Sequence, residues 1–482
     1  MIARRRLHIL LTCAGTLALT ACNLAPPYIP PTVDKPPAFK ETDGWALAQP
    51  QDTAPRGAWW TVFADPDLDR LEEQTTAANQ DLQAAVANYD SARAQARIAK
   101  AGLFPTLDAD GSVSRVRLSR DAANPLPNKD YANYGLGLDL QYEVDVWGRV
   151  RNQARAGRAR AQAAGGDLAE VGLSLHEEVA VDYFTLRGDD AQQQVLDDTV
   201  KAYDKAYELT RARFDAGYAG EPEVAAAEAQ YKLAQTQTED IRLQRAQLEH
   251  SLAILTGQPP ARFSLAPRTI SATPPEVAEV LPAALLQRRP DIAAAERRVE
   301  AANADIGVAR AAYYPAFNLN AVLGLQAAEP SRVFSAPAQA WSVGPEGLVN
   351  LFDGGRRRGL NQQARAAYAA TVAAYRQTVL DAYGQVEDSL ASVRQLRKEA
   401  DSQDAGVAAA ARSTGQANRL FSGGLSTYYD VVTAQNVELA AKLTAVRIHA
   451  QRMVAAVQLI RALGGGWEAA SAPPPPAGRS GA

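Results

Sequence analysis

The sequence predicts a mainly α-helical protein with a smaller β part, built as two similar halves that each carry a long helical hairpin and two strands. Three observations predict this class. Proline is absent between Pro66 and Pro105, between Pro127 and Pro222, and between Pro345 and Pro473. An interior proline destabilises a helix by about 3 kcal/mol, and these gaps are rich in Ala, Leu, Gln, Glu and Arg. Beside the gaps lie short stretches in which apolar and polar residues alternate, the period of a strand with two different faces. Finally, the chain resembles itself at an offset of about 208 residues.

The N-terminus reads as a secretion signal over residues 1–21. Arg4, Arg5 and Arg6 supply its positive start and Leu7 to Leu19 its apolar stretch. Leu19-Thr20-Ala21-Cys22 then has the form of a bacterial lipobox. The Cys22 sulfur would accept a diacylglyceryl group and, after cleavage, its amine an N-acyl chain, which is enough lipid for stable anchoring. Asn23 follows, rather than the Asp that retains lipoproteins at the inner membrane. Cys13 leaves with the signal, so the mature chain keeps one Cys and can form no internal disulfide. The loss of three arginines moves the formal charge from −4 to −7.

Residues 22–58 form an extended acylated segment, and the first repeat covers 59–258. A Pro-rich linker at 259–280 precedes the second repeat, 281–466, and a tail, 467–482, which reads as disordered. The repeats match in preserved order. Leu103-Phe104-Pro105-Thr106-Leu107 returns as Tyr313-Tyr314-Pro315-Ala316-Phe317, and Gly148-Arg149-Val150-Arg151 as Gly355-Arg356-Arg357-Arg358. Phe214-Asp215-Ala216-Gly217 returns as Phe421-Ser422-Gly423-Gly424.

Within each repeat a helix is followed by strands. Residues from about Thr106 to Leu118 and from Tyr131 to Val144 flank a polar loop, Ser119 to Asp130. Tyr134, Leu136, Leu138, Leu140 and Tyr142 alternate with Gly135, Gly137, Asp139, Gln141 and Glu143. Phe317 to Gln326 repeats the pattern, and about Gln339 to Leu351 returns less regularly through Gly344, Pro345 and Gly347. Four strands cannot close a membrane barrel, because open edges are excluded from lipid. Several chains must therefore pool their strands if these span a membrane: a dimer gives eight, a trimer twelve.

The long helices are predicted from about Gly148 to Arg213 and from about Arg356 to Phe421, roughly 100 Å each at about 1.5 Å per residue. Gly165, Gly166, Gly188, Gly384 and Gly406 are candidate breaks. Turns at Asp215 to Glu221 and Ser422 to Ser426 send the chain back. In the last helix Val432, Asn436, Leu439, Leu443, Val446, Ala450, Met453, Val457 and Ile460 form a heptad seam.

These features resemble the outer membrane factor family, the TolC-like channels, and within it the NodT-type lipoprotein branch of multidrug efflux. The resemblance rests on Cys22-Asn23-Leu24-Ala25-Pro26-Pro27-Tyr28, on Trp59-Trp60…Phe63…Asp65-Pro66…Leu68, on Arg356-Arg357-Arg358 and on Leu463-Gly464-Gly465-Gly466-Trp467. It covers the chain from Cys22 to Trp467. It implies a homotrimer with a shared twelve-stranded barrel in outer membrane lipid and a helical periplasmic tunnel. The tunnel would dock a periplasmic adaptor and, through it, an inner-membrane efflux transporter.

The resemblance also places gating residues after each turn. Counting six from Gly217 and Gly424 gives Glu223 and Asp430, with Tyr428 or Tyr429 as steric constriction. Three residues on stand Ala226 and Thr433, where some relatives carry a second acid. Asp430 equally suits capping of the returning helix. Gly217, Tyr218, Gly424 and Leu425 are the candidate adaptor contacts.

Enzymatic chemistry has no motif to rest on. His176, His250 and His449 stand isolated on helical segments, carboxylates scatter along helix faces, and Gly-rich phosphate loops are absent. Cofactors beyond the Cys22 lipid, resident metals and nucleic acid are not expected. The competing reading is a lipid-anchored periplasmic coiled-coil adaptor or structural protein. The second strand pair argues against it.

Overall fold

Among the described residues, proline enters an α-helix only in its first turn, at Pro66, Pro222 and Pro290. The computed structural model describes residues 23–34, 36, 38–41, 57–117, 119, 130–269, 274–275 and 289–465. The signal at 1–21, Cys22, most of the Ser119–Asp130 loop, part of the linker and the tail at 467–482 lie outside the described residues. After a 3₁₀ turn, Trp59–Phe63, come α1 (Pro66–Ala78), α2 (Gln80–Ala101), β1 (Thr106–Arg117), β2 (Asp130–Glu143), α3 (Arg149–Asp215) and α4 (Glu221–Leu255). The second half runs α5 (Pro290–Ala311), β3 (Ala316–Ala327), β4 (Gln339–Leu348), α6 (Arg356–Ser422) and α7 (Tyr428–Ala462). Helices α3 and α6 each hold 67 residues, and α4 and α7 each hold 35.

The expected glycine breaks do not occur. A Cβ on Gly165 would lie 3.2 Å from the Tyr89 ring, and one on Gly188 would lie 2.6 Å from the Ala450 Cβ. These glycines let neighbouring helices approach, so packing offsets their low helix propensity. Gly384 and Gly406 meet nothing within 4 Å and are simply tolerated.

Two compact units cut across the two halves. The first comprises Met1–Thr32, Asn88–Gly165 and Ala294–Arg376. It holds a four-stranded antiparallel sheet in the order β1-β2-β3-β4, so that β1 and β4 are open edges. Strand β4 stops at Leu348, three residues short of the expected end. Pro345 pairs with Leu319 and is tolerated because β4 has a free edge. Asp145 accepts backbone N–H bonds from Val150 and Arg151 at the start of α3 and pairs with the Arg151 side chain. Asp353 does the same for α6, accepting from Gly355 and Arg357 and pairing with Arg357. The recurring Gly-Arg stretches are thus carboxylate-capped helix starts.

In the same unit the N-terminal segment is fastened to α5 and α3. Asn23 Oδ1 accepts from Asn152 Nδ2 at 2.9 Å. Arg310 donates to the Leu24 carbonyl at 3.1 Å and Asn303 to the Pro26 carbonyl at 2.9 Å. Ala25 is buried against Gly307, where a Cβ would come within 2.7 Å of its own Cβ.

The second unit comprises Val33–Ala87, Gly166–Ala293 and Gln377–Ala482. Its core gathers Trp59, Trp60, Phe63, Leu68, Tyr183, Phe184, Leu252, Met453 and Val457. The heptad seam explains only part of α7. Ala450, Met453 and Val457 are buried, but so are Ile448, Ala455, Ala456, Leu459 and Ala462, and Asn436 is exposed. The C-terminal half of α7 is therefore a core helix covered on most sides, not a two-stranded seam.

Candidate functional site: hairpin tips and strand faces

Both hairpin tips lie in the second unit and share one construction. Gly217 and Gly424 adopt φ of +77° and +73°, the left-handed region that glycine enters without a Cβ clash. Gly217 N–H donates to the Phe214 carbonyl and Tyr218 N–H to the Arg213 carbonyl, both at 2.8 Å. Gly424 and Leu425 repeat this with Phe421 at 3.0 Å and Leu420 at 2.8 Å. This pair of bonds is a Schellman motif, which satisfies the last carbonyls of α3 and α6. Tyr218 and Leu425 are each 78% exposed, so each turn presents one large apolar or aromatic side chain outward.

The two tips are held together from behind. Ala227, Tyr428 and Val431 form a small buried cluster backed by Tyr207, Phe421 and Val432. The Arg213 guanidinium lies 5.0 Å above the Phe421 ring. Gln230 donates to Asn436 Oδ1 at 3.2 Å. Tyr428 is thus a packing residue, which leaves Tyr429, 75% exposed, as the available aromatic at this position.

Glu223 and Asp430 occupy equivalent places, the third residue of α4 and of α7, but their surroundings differ. Asp430 Oδ2 accepts from the Thr427 backbone N–H at 3.0 Å and from the Thr427 hydroxyl at 2.9 Å, completing a capping box. The α4 cap is Gly220, which has no side chain to reciprocate, so Glu223 is half-buried without a cap bond. Thr433 turns its hydroxyl back onto the Tyr429 carbonyl at 2.9 Å. Capping by Asp430 is therefore an observed role, and its second oxygen remains outside the box.

In the first unit the sheet has two faces of opposite character. Register places Leu107, Leu140, Ala321 and Val343 in one row, and Ala109, Leu138, Leu323 and Trp341 in the next. Leu107, Val113, Leu323, Trp341 and Val343 are 58–76% exposed, an apolar face that would be costly in water. On the other face stand Asp108, Asp139, Gln141, Asn318, Asn320 and Glu346. Toward the helical end this face borders a polar cavity of about 660 Å³, where Arg149 pairs with Glu143. An apolar face and a wet face, both uncovered, fit a strand set placed between lipid and an aqueous lumen.

Two stretches of the sequence, residues 71–258 and 281–465, match a single family description, "Outer membrane efflux protein". The chain belongs to the outer membrane efflux protein family. Outer membrane protein OprJ of Pseudomonas aeruginosa is 31% identical over 463 residues, 94% of each chain. The pyoverdine export outer membrane protein OpmQ of the same species is 31% identical over 94% of this chain and 96% of its own. A crystal structure of a membrane protein from P. aeruginosa superposes with a TM-score of 0.86 at 29% identity, covering 92% of this chain and 98% of that one. The protein is thus an outer membrane efflux channel component and not an enzyme.

Sequence reasoning missed the polar groups inside the second unit. His176 is not isolated: its Nδ1 lies 2.7 Å from Glu72 Oε2, and its ring packs 4.5 Å from Trp60. Glu72 is fully buried. Burial, with Asp69 adding to it, pushes its carboxyl up to about 9, and burial pulls His176 down to about 4. The contact is a neutral hydrogen bond at pH 7 rather than an ion pair. Nor are all carboxylates on wet faces. Buried Arg187 donates to Asp190 at 2.9 Å, to the Ala266 carbonyl at 2.7 Å and to Asp67 at 3.3 Å. Arg245 joins from α4, donating to Asp190 at 2.6 Å. Apart from the local Arg187–Asp190 pair, these partners lie 55 to 120 residues apart, so no local pattern announces them.

Proposed function

We propose that the protein is the trimeric exit channel of a tripartite efflux pump, passing small molecules from a periplasmic adaptor and an inner-membrane transporter to the exterior. The carrying observation is the four-stranded sheet with two open edges and two uncovered faces. Neither edge is tolerable in lipid, and three copies joined β4 to β1 make a closed twelve-stranded barrel. Membership of a family of outer membrane efflux channels supports the same reading.

Cys22 carries the lipid: a thioether-linked diacylglycerol with an N-acyl chain. The lipobox supports it, as does the attachment of Asn23 to Asn152 in the folded protein. Drugs and other small organic molecules are the proposed cargo. OpmQ is named for pyoverdine export, and specificity is set by the transporter rather than by this wet channel.

At the tips, Gly217, Tyr218, Gly424 and Leu425 contact the adaptor, presenting exposed Tyr218 and Leu425. Asp430, Glu223, Tyr429 and Thr433 line the periplasmic gate. A ring of three Asp430 carboxylates attracts cations and narrows the pore, while each carboxylate also caps its helix.

The test is planar-bilayer conductance of the full-length protein and of Asp430→Ala and Asp430→Asn. Asp430→Ala is expected to raise conductance and remove cation block, and Asp430→Asn, which can still cap, to remove the block alone. Unchanged conductance and block in both variants would leave Asp430 as a cap only. A protein that stays monomeric and soluble without detergent would overturn the channel reading itself.

A further inference from the structure

The face of the sheet that carries Leu107 and Leu140 ends abruptly in charge. Along β3 its apolar residues run from Phe317 to Ala327, a span of ten residue steps. That is about 33 Å of strand at about 3.3 Å per residue. A tilt of about 40° leaves about 25 Å of height, the thickness of the apolar band on outer membrane barrels. On β1 the same face reads Leu107, Ala109, Gly111 and Val113, and then Arg115 and Arg117. Val113 shares its row with Tyr134 and, through it, Ala327. Arg115 and Arg117 therefore stand one and two rows beyond the apolar band.

They stand at its outer end. Strands β2 and β4 lead toward α3 and α6 from Glu143 and Leu348, so the periplasmic end of the sheet is the one opposite Arg117. Among the described residues the two arginines also share a single acid. Arg115 Nε donates to Asp130 at 3.0 Å, and Asp130 is the register partner of Arg117. Two guanidiniums against one carboxylate leave a net positive charge. The Arg115 terminal nitrogens have no bond among the described residues, and its side chain is 79% exposed.

We propose that Arg115 and Arg117 form a docking site for the phosphate groups of the phosphorylated glycolipid of the outer leaflet. The proposal rests on the barrel reading above. Its carrier is charge complementarity at one depth: a basic pair level with the outer headgroups, on the lipid-facing side of the sheet. A guanidinium fork binds phosphate through two parallel N–H bonds, which a point charge does not reproduce. Asp130 holds Arg115 by its Nε and so orients the fork.

The experiment is native mass spectrometry of the purified full-length oligomer in detergent, with chelator present, titrated with lipid A. The wild type is expected to bind, and Arg115→Gln/Arg117→Gln to bind at least tenfold more weakly. Arg115→Lys/Arg117→Lys should fall between them. Lys201→Ala, a charge loss on α3, should bind as the wild type does. Dephosphorylated lipid A must lose binding to the wild type, an arm that needs no variant to fold. Equal binding by wild type and the Gln double variant, or undiminished binding of dephosphorylated lipid A, overturns the proposal. Phosphatidylglycerol bound as tightly as lipid A, with the same arginine dependence, overturns its assignment to the glycolipid. A wild type that forms no oligomer at all overturns the barrel reading instead.

Discussion

Replacing Glu72 by Gln tests the buried carboxyl most directly. Glu72 is fully buried beside His176, and its Oε1 has no hydrogen-bond partner among the described residues. Burial first, and Asp69 second, raise its folded-state value to about 9 from the ordinary 4.5. Between those two values the folded state holds a proton that the unfolded state has released. The contribution is therefore complete below about 4.5 and is lost as pH rises toward 9. His176 acts in the opposite direction, since burial lowers it to about 4. Its effect is confined to the range between that value and its unfolded value near 6.5. Above pH 7 only the Glu72 effect remains of the pair.

One pH unit corresponds to about 1.36 kcal/mol for one proton. From pH 7.0 to 8.5 the wild type should then lose about 2 kcal/mol per chain through Glu72. Glu72→Gln cannot titrate and can still donate to His176 Nδ1, so its stability should stay level over the same range. The measurement is denaturant unfolding of the detergent-solubilised protein, followed by tryptophan fluorescence because the Trp60 ring packs against His176. Parallel pH slopes for the two proteins would refute the reasoning, because they would mean Glu72 is already ionised in the fold at pH 7.

Gly307→Val places a side chain where a Cβ already meets Asn152 Nδ2 at 2.4 Å and the Ala25 Cβ at 2.7 Å. It should displace the N-terminal segment at about 1–3 kcal/mol, read as faster limited proteolysis before Thr32. Arg187→Leu strips a buried guanidinium from Asp190, Asp67 and the Ala266 carbonyl, and should lower the unfolding free energy by about 3 kcal/mol; a measured loss below about a third of that would contradict a structural role. Gly217→Ala and Gly424→Ala meet no neighbour within 4 Å but must hold φ near +75°. Each should weaken its turn by about 1 kcal/mol, seen as faster hydrogen exchange at Tyr218 and Leu425 with little change in the melting temperature.

The helical hairpins were legible because their signals are local. Proline gaps bound α3 and α6, and a glycine closes each turn where a Schellman motif needs positive φ. Strand β2 was legible for the same reason, since alternation is a property of neighbours in sequence. What stayed hidden depends on the third dimension. Gly165 and Gly188 read as breaks because sequence does not reveal that Tyr89 and Ala450 lie against them. Tyr428 and Tyr429 were interchangeable until helix phase buried one and exposed the other. The Gly-Arg stretches recurred visibly, but their reason, Asp145 and Asp353 capping two helices, needed geometry.

The same division separates the residues that build the fold from those proposed to act at the hairpin tips and the outer end of the sheet. Glu72, His176, Arg187 and Asp190 are polar, buried and bonded, and their partners come mostly from distant sequence. Tyr218, Leu425, Tyr429 and Arg115 are large and exposed and are held by backbone turns or a single ion pair. Substitutions in the first group should move unfolding midpoints and leave conductance or lipid binding to the surviving folded fraction. Substitutions in the second should do the reverse, because removing an exposed side chain breaks few internal bonds. A variant that moves both together, as Asp430→Ala should through its capping box and its proposed place in the gate, marks a residue that belongs to both groups.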